Sequence, residues 1–376
     1  MAGDSFELRL RMGAMVAKAV DAEVIDALTS LTVQGASRDR SGFQITFRLD
    51  HGGRLERVLL PGGYFDPMIR VIAEVIVRGK SHVIMDGVIT QQEVRPAVGG
   101  QGATLMITGE DLTAAMDLVD LTGFPFPGMP DVAQVGSVLA RYAVLGVLPV
   151  VVPPPYIDIP NPLEHIPHQS GTDYQFLRSL ADAVGYVFHL EPGPRPGMSR
   201  AYWGPEVRQG AVQPALAVDL DADTKVQSLS FRLDGLSRAT TVAWMMERRT
   251  KVSLPIPLPD ILPLRPRLAR RPAVPWRVVQ HGHAGAATDP IMLTKLAVGR
   301  MLRHADAVVG EGSLDVVRYG QVLEPRRLVG VQGAGPAYDG NYYVTRVTHS
   351  IQRGAYTQTF SLAREGTGAV EERVTV

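Results

Sequence analysis

The chain has 376 residues, enough for two to three domains at ~150 residues each, and it can bury a core without covalent staples. Its 38 Lys and Arg balance 38 Asp and Glu, which excludes the broad cationic footprint of a protein that coats nucleic acid or an anionic membrane. The absence of cysteine excludes disulfides, thiolate metal sites and cysteine nucleophiles, while 38 glycines, 28 prolines and only 6% aromatics favour many short strands and turns.

Asp4 and Glu7 stand where a secretory signal carries its apolar region, so synthesis in the cytoplasm is expected. The most apolar run, Ala143 to Val152, contains Pro149 and falls well short of the ~20 residues that span a bilayer, so no membrane insertion is expected.

Phe43, Ile45, Phe47 and Leu49 alternate with polar residues, the period of a half-buried strand, and Asp50-His51-Gly52-Gly53 then turns the chain. Arg70 to Val77, Ser81 to Met85, Gly87 to Val94 and Ala103 to Thr108 read as further strands, parted by Gly79-Lys80, Asp86-Gly87 and the glycines around Gln101. A helix is expected from Glu110, with Leu112, Met116 and Val119 at helical spacing, and another over Val132 to Val144. Pro149 to Pro167 is too proline-rich for regular structure. Thr172-Asp173-Tyr174-Gln175 is a capping box, the helix after it buries Phe176, Leu177, Leu180, Ala181 and Val184, and Gly185 ends it before a strand at Tyr186 to Leu190.

Strands resume at Val226 to Leu233 and Ala239 to Met246. After a helical stretch, Ile291 to Ala307, they continue at Leu314 to Tyr319, Arg327 to Val331, Asn341 to His349 and Thr357 to Leu362. The two sets, 226–246 and 314–362, are expected to share one barrel. The pattern is mainly β with α+β elements: a first antiparallel β-barrel domain (1–110), a mixed α/β domain (111–205), and a second barrel domain (206–376) interrupted by an inserted arm at about 247–290.

The motifs that invite a chemical reading each lack a necessary member. Gly79-Lys80-Ser81 resembles the end of a phosphate loop, but Glu74 replaces the upstream glycine and strands surround it. Gly330, Gly333 and Gly335 lie between strands, with no helix amino terminus to meet a dinucleotide. Asp219, Asp221 and Asp223 mimic a calcium loop but meet Thr224 and Ser230 where it needs Gly and Glu. His165 with His168 and His281 with His283 have no obvious third ligand. The expectation is therefore no catalytic, cofactor-binding or metal-binding residues. The segment Arg248 to Arg277 differs, holding eight Lys or Arg, one acid and seven prolines beside Leu254, Ile256, Leu258, Ile261 and Leu264. It reads either as an extended arm on a partner, with Arg248, Arg249, Arg265, Arg267, Arg270 and Arg271 at the interface, or as a long surface loop.

Three stretches together resemble a known family. Asp66-Pro67 through Asp86-Gly87-Val88-Ile89 to Ile107-Thr108-Gly109-Glu110-Asp111 is similar to the first barrel of phage late-control D proteins, the hubs at the base of contractile tails. Thr172 to Ala181 with Gly185-Tyr186-Val187-Phe188 resembles that family's most recognisable motif, shared with the amino-terminal part of type VI secretion spike proteins. Tyr338-Asp339-Gly340-Asn341 to His349, with Tyr356 to Leu362, is similar to the closing strands of the second barrel. The resemblance implies two tube-like barrels per subunit in a homotrimeric baseplate hub, a structural virion component that adapts a sixfold inner tube to a threefold spike. Its implied partners are further copies of itself, the inner tube protein, the spike protein and other baseplate proteins, with no nucleic acid sequence recognition. It implies no enzyme activity. The needle that follows the hub part of type VI spike proteins is expected to be a separate protein here. The phage tail, an extracellular contractile injection system and a type VI-like apparatus remain open, as do two other classes of function: a tail-associated cell-wall hydrolase and a solitary small-molecule-binding barrel.

Overall fold

A computed structural model describes residues 6–14, 16–97, 102–155, 157, 159–218, 225–246, 253–257, 266–281 and 306–370. The chain opens with β1 (Phe6–Gly13), the two-residue β2 (Lys18–Ala19), helix α1 (Ala22–Ala27), β3 (Leu28–Ala36) and β4 (Gly42–Leu49). β4 buries Phe43, Ile45, Phe47 and Leu49 as its alternation demands. A π-helical turn at Leu55–Leu59 leads to β5 (Arg70–Val77), β6 (Lys80–Arg95) and β7 (Ala103–Asp111).

β6 replaces two expected strands with one of 16 residues. Asp86 is not a turn residue because Arg70 engages it inside the sheet, with Nε–Oδ1 at 2.7 Å. Gly87 does not bend the strand either: a Cβ there would overlap the Glu110 carbonyl oxygen of β7, so glycine serves close strand approach. The true turn is Arg78-Gly79, both at positive φ. Glu110 and Asp111 likewise end β7 rather than start a helix. The helix is the single turn α2 (Thr113–Met116), with Leu112 at its N-cap, and Asp111 just before it turns the chain by accepting from the Thr113 N–H at 3.0 Å.

A second, smaller core follows, built from α3 (Asp131–Ala140), β8 (Val147–Val151), α4 (Asp173–Val184), β9 (Val187–Pro192) and β10 (Ser199–Gly204). The capping box at α4 is present in both directions, and Gly185 ends the helix at φ +74°. Phe126 stacks on Phe176 with ring centres 5.4 Å apart, and the buried Trp203 donates its Nε1–H to the Leu177 carbonyl. Pro149, expected in irregular chain, lies within β8. That strand is the edge of the sheet β8-β10-β9, where one side of the backbone needs no partner and proline is tolerated.

The remaining strands are β11 (Val212–Ala217), β12 (Val226–Leu233), β13 (Ala239–Met246), β14 (Ser253–Pro257), β15 (Ala269–Pro272), β16 (Arg277–His281), β17 (Val308–Asp315), β18 (Leu328–Gln332), β19 (Gly340–Gln352), β20 (Ala355–Arg364) and β21 (Gly366–Ala369). Leu314 to Tyr319 is not a strand throughout. Asp315 ends β17 and accepts from the Arg318 N–H at 3.0 Å, capping a one-turn helix at Val316–Tyr319. The helix expected over Ile291 to Ala307 falls almost wholly outside the described residues.

The two β regions form one 13-stranded sheet whose main path runs β12-β17-β20-β19-β3-β4-β7-β6-β5-β1-β2. Only the first half of 226–246 joins it. After β12, a turn at Asp234 to Ser237 redirects the chain, and β13 pairs instead with β14 and β16 in a separate sheet. The amino- and carboxy-terminal strands share one core, in which Ile45, Phe47 and Ile107 belong to the same cluster as Val329, Tyr342 and Phe360. No helix among the described residues is long and apolar enough to cross a membrane. Replacing Gly87 by alanine is expected to cost ~1–3 kcal/mol, because the added methyl must push β6 from β7, and urea denaturation measures it.

Candidate functional site

Two charged junctions join the α/β unit to the large sheet and its loops, and a third lies on the chain just after the unit. In the first, Arg70 of β5 makes a bidentate pair with Asp86 of β6 at 2.7 and 2.8 Å, both buried. Arg70 also donates to the Gly197 carbonyl and Ser199 donates its hydroxyl to Asp86, so the pair reaches across into the loop and strand of the smaller sheet. In the second, Arg40 bonds Glu110 at 2.8 Å and also Asp117, and its guanidinium lies 3.9 Å from the centre of the Tyr174 ring. Asp117 accepts from the Thr172 hydroxyl, so this junction leads directly into the α4 cap. Burial opposes the charge on Arg40, but Asp117 and Glu110 more than offset it and keep the group firmly protonated.

The third junction borders an open cleft of about 300 Å³ lined by Arg38, Asp39, Glu206, Asp306, Arg346 and small polar residues. Charges alternate along its wall: Arg38 meets Glu206 at 2.9 Å, and Arg208 meets both Glu206 and Asp306 at 2.6 Å. Arg208 is fully buried, with its guanidinium 4.8 Å from the Tyr343 ring centre. Burial works against its charge, and Asp306 and Glu206 outweigh that and raise its pKa. These carboxylates hold arginines in place. The arrangement is that of a structural tie, with acids committed to cations rather than to proton transfer.

A buried histidine lies between the β19–β20 pair. His349 Nδ1 is 2.7 Å from the Tyr356 hydroxyl and 3.3 Å from Gln358 Nε2. Gln358 accepts from the Leu323 N–H and donates to the Leu323 carbonyl, which fixes its amide and makes Nδ1 the acceptor of a neutral ring. Burial pushes His349 down to about 3, with His82 adding to the shift and Glu324 opposing it. His189 is pushed down to about 4 by burial and then Arg326, against Glu191.

The residues singled out in the sequence are not brought together. Lys80 is exposed at the start of β6, and Ser81 donates to Glu74 at 2.5 Å. Gly330 lies within β18, and Gly333 and Gly335 turn the chain into β19. His165 and His168 are both exposed. Asp219, Asp221, Asp223 and His283 lie outside the described residues, as do Arg248, Arg249 and Arg265. Among the described residues no group of three or more His, Asp or Glu is placed to hold a metal.

Arg267, Arg270 and Arg271 are exposed, the last two on β15. This part of the arm rests on its own chain. β15 pairs with β21, Glu365 accepts from the Leu268 and Ala269 N–H groups at 2.5 and 2.8 Å, and Leu268 packs with Leu328 and Tyr343. The charged junctions were not foreseen from the sequence. Glu206-x-Arg208, placing opposite charges on one side of an extended chain, was the one available signal.

No protein-family model matches the chain, and no match is found among curated proteins. Solved structures do match. The tail protein from Neisseria meningitidis superposes with a TM-score of 0.61 at 15% identity, covering 96% of this chain and 97% of that one. The 43 kDa tail protein of prophage MuSo2 from Shewanella oneidensis gives 0.60 at 12% identity, covering 96% and 99%. An Escherichia coli component of the type VI secretion system, itself described as similar to bacteriophage tail proteins, gives 0.53 at 13% identity, covering 93% and 75%. At these identities the likeness is one of fold, and it extends over nearly the whole chain.

Removing one partner of the Arg70–Asp86 pair strands a buried charge, so Arg70→Met and Asp86→Leu are each expected to cost ~3–5 kcal/mol, and the double replacement to recover most of it. A double-mutant cycle in urea measures this. The unfolded chain protonates His349 near 6.5 and the folded chain only near 3, so its contribution is complete above pH 6.5 and is lost as pH falls towards 3. His349→Gln is expected to flatten stability against pH below 6.5 by up to about 1.4 kcal/mol per pH unit, as read from denaturation midpoints across that range.

Proposed function

We propose that this chain is a structural baseplate hub of a contractile phage tail or phage-like injection system, a homotrimeric adaptor between a sixfold inner tube and a threefold spike. The observation that carries the reading is the match in fold over 96% of the chain to two tail proteins. The two β regions joined in a single sheet, with the α/β unit joined to it by the Arg40–Asp117 ion pair and by hydrogen bonds from Arg70 to the Gly197 carbonyl and from Ser199 to Asp86, suit a part that transmits load rather than one that encloses a substrate. On this reading residues 1–110 and 206–376 are the two tube-like domains, 111–205 the mixed domain and about 247–290 an inserted arm. The subunit carries no catalytic role or cofactor, inserts into no membrane and recognises no nucleic acid sequence. It is made in the cytoplasm and built into the particle, where its partners are the inner tube protein, the spike protein and other baseplate proteins. Arg248, Arg249, Arg265, Arg267, Arg270 and Arg271 are assigned to contacts with another chain of the assembly, a further copy of this one included.

Native mass spectrometry and light scattering of the purified chain test the trimer. Three copies per complex are expected, either alone or on addition of tube and spike proteins. A chain that stays monomeric in the presence of both would overturn the proposal.

A further inference from the structure

Where β9 of the smaller sheet comes up to β6 of the large one, a buried histidine is set among charges. His189 of β9 has its Nε2 3.3 Å from Glu191 Oε1, so the Nε2–H donates to that carboxylate and Nδ1 carries the lone pair of a neutral ring. Glu191 is committed on its other side, where Oε2 meets Arg200 of β10 at 2.9 Å. The imidazole stacks on the Tyr202 ring with centres 5.2 Å apart. Its Nδ1 is buried and has no hydrogen-bond partner among the described residues, so a proton placed there would find no acceptor.

The large sheet brings a fixed cation to the same place. Arg326 donates its backbone N–H to the Val344 carbonyl of β19 at 2.8 Å, and its guanidinium donates to the Ala36 carbonyl at the end of β3. It is thereby pinned across the β3–β19 pairing that joins the two β regions. An arginine keeps its charge when buried, and this one acts on both His189 and Glu191. The charged groups around His189 are therefore Arg326 from the segment before β18, Glu191 on its own strand, Glu206 after β10, and Arg200 through its bond to Glu191. Burial and then Arg326 oppose a positive ring, and the two glutamates favour it without prevailing.

We infer that His189 is a proton-operated latch between the α/β unit and the large sheet: neutral, it lets β9 rest near Arg326, and protonated, it sets a second cation against one that cannot retreat and frees β9 and β10. The part that gives way is β9, the outer strand of a three-stranded sheet, with β10 its one strand partner among the described residues. A ring released into water takes up its proton near 6.5 and the seated ring only near 4. The closed arrangement is thus fully favoured above pH 6.5 and loses its advantage as pH falls towards 4. This goes beyond the hub reading and does not depend on it.

The test is hydrogen exchange followed by mass spectrometry on the full chain between pH 7 and pH 4, with rates corrected for the intrinsic effect of pH. In the wild type, opening of β9 and β10 is expected to grow by up to about tenfold per pH unit below 6.5 and to run ahead of opening at β3 and β19. His189→Gln, neutral at every pH, is expected to remove that growth from β9 and β10. Should glutamine unfold the chain, NMR titration of the His189 ring decides, with a midpoint expected near 4 in the wild type and at a higher pH in Arg326→Gln. Opening of β9 and β10 that ignores pH, that keeps step with β3 and β19 throughout, or that His189→Gln leaves as steep as before overturns the inference. So does a His189 midpoint that Arg326→Gln leaves in place.

Discussion

The pairing of β3 with β19 is the constraint from which the rest of the architecture follows. Seven residue pairs, from Ala36 with Arg346 to Ser30 with Gln352, join strands more than 300 residues apart in sequence. Without that seam each β region would present an open edge and half a core, because Leu31 and Val33 on one side of it and Val347 and Ile351 on the other belong to the same buried cluster. The seam is reinforced at both ends. Arg326, held at positive φ, donates to the Ala36 carbonyl at 2.5 Å, and Arg353 donates to the Asp26 carbonyl at the far side. Closing so long a loop costs only logarithmically more than closing a short one, so the distance in sequence is no obstacle to stability.

With the sheet made continuous, the α/β unit has to be set on it in one orientation. Apolar packing alone is permissive in angle, since it depends on area rather than direction. The bonds that cross to it are directional: Arg70 of the large sheet donates to the Gly197 carbonyl, Asp86 accepts from the Ser199 hydroxyl, and Arg40 meets Asp117. A misplaced unit would leave Asp117 without its cation and the buried Arg70–Asp86 pair short of two hydrogen bonds. The smaller core, centred on Phe126, Phe176, Leu177 and Trp203, supplies cohesion within the unit, and these polar contacts supply its placement.

What the sequence disclosed was local. The alternation of Phe43 to Leu49, the Thr172 to Gln175 box and the Gly185 cap each depend on neighbours within a few residues, and each was found as read. What it concealed depended on chain that arrives from elsewhere. Asp86-Gly87 has the composition of a turn, and only a partner at Arg70 and a strand pressing at Glu110 make it extended. Leu314 to Tyr319 is apolar enough for a strand, but Asp315 caps a helical turn within it. The arm at Leu268 to Pro272 is covered by β21, a segment about a hundred residues later. The charged residues of the cleft came from four separate stretches, 36–39, 206, 306 and 345–346, and no spacing rule links them. The arginines of the arm were legible as a composition, whereas the packing of Leu268 on Leu328 and Tyr343 needed the fold to be seen.

Among the described residues β16 pairs on one side alone, with β13, and Trp276 just ahead of it is 74% exposed. A strand edge without a partner is a template on which unrelated extended chains stack. Pro272 closes β15 and Pro275 stands just ahead of β16, so neither strand lengthens into the other. Four arginines on the same stretch add like-charge repulsion between two such edges. Proline spacing and cationic charge on one piece of chain therefore both discourage indiscriminate stacking on this edge.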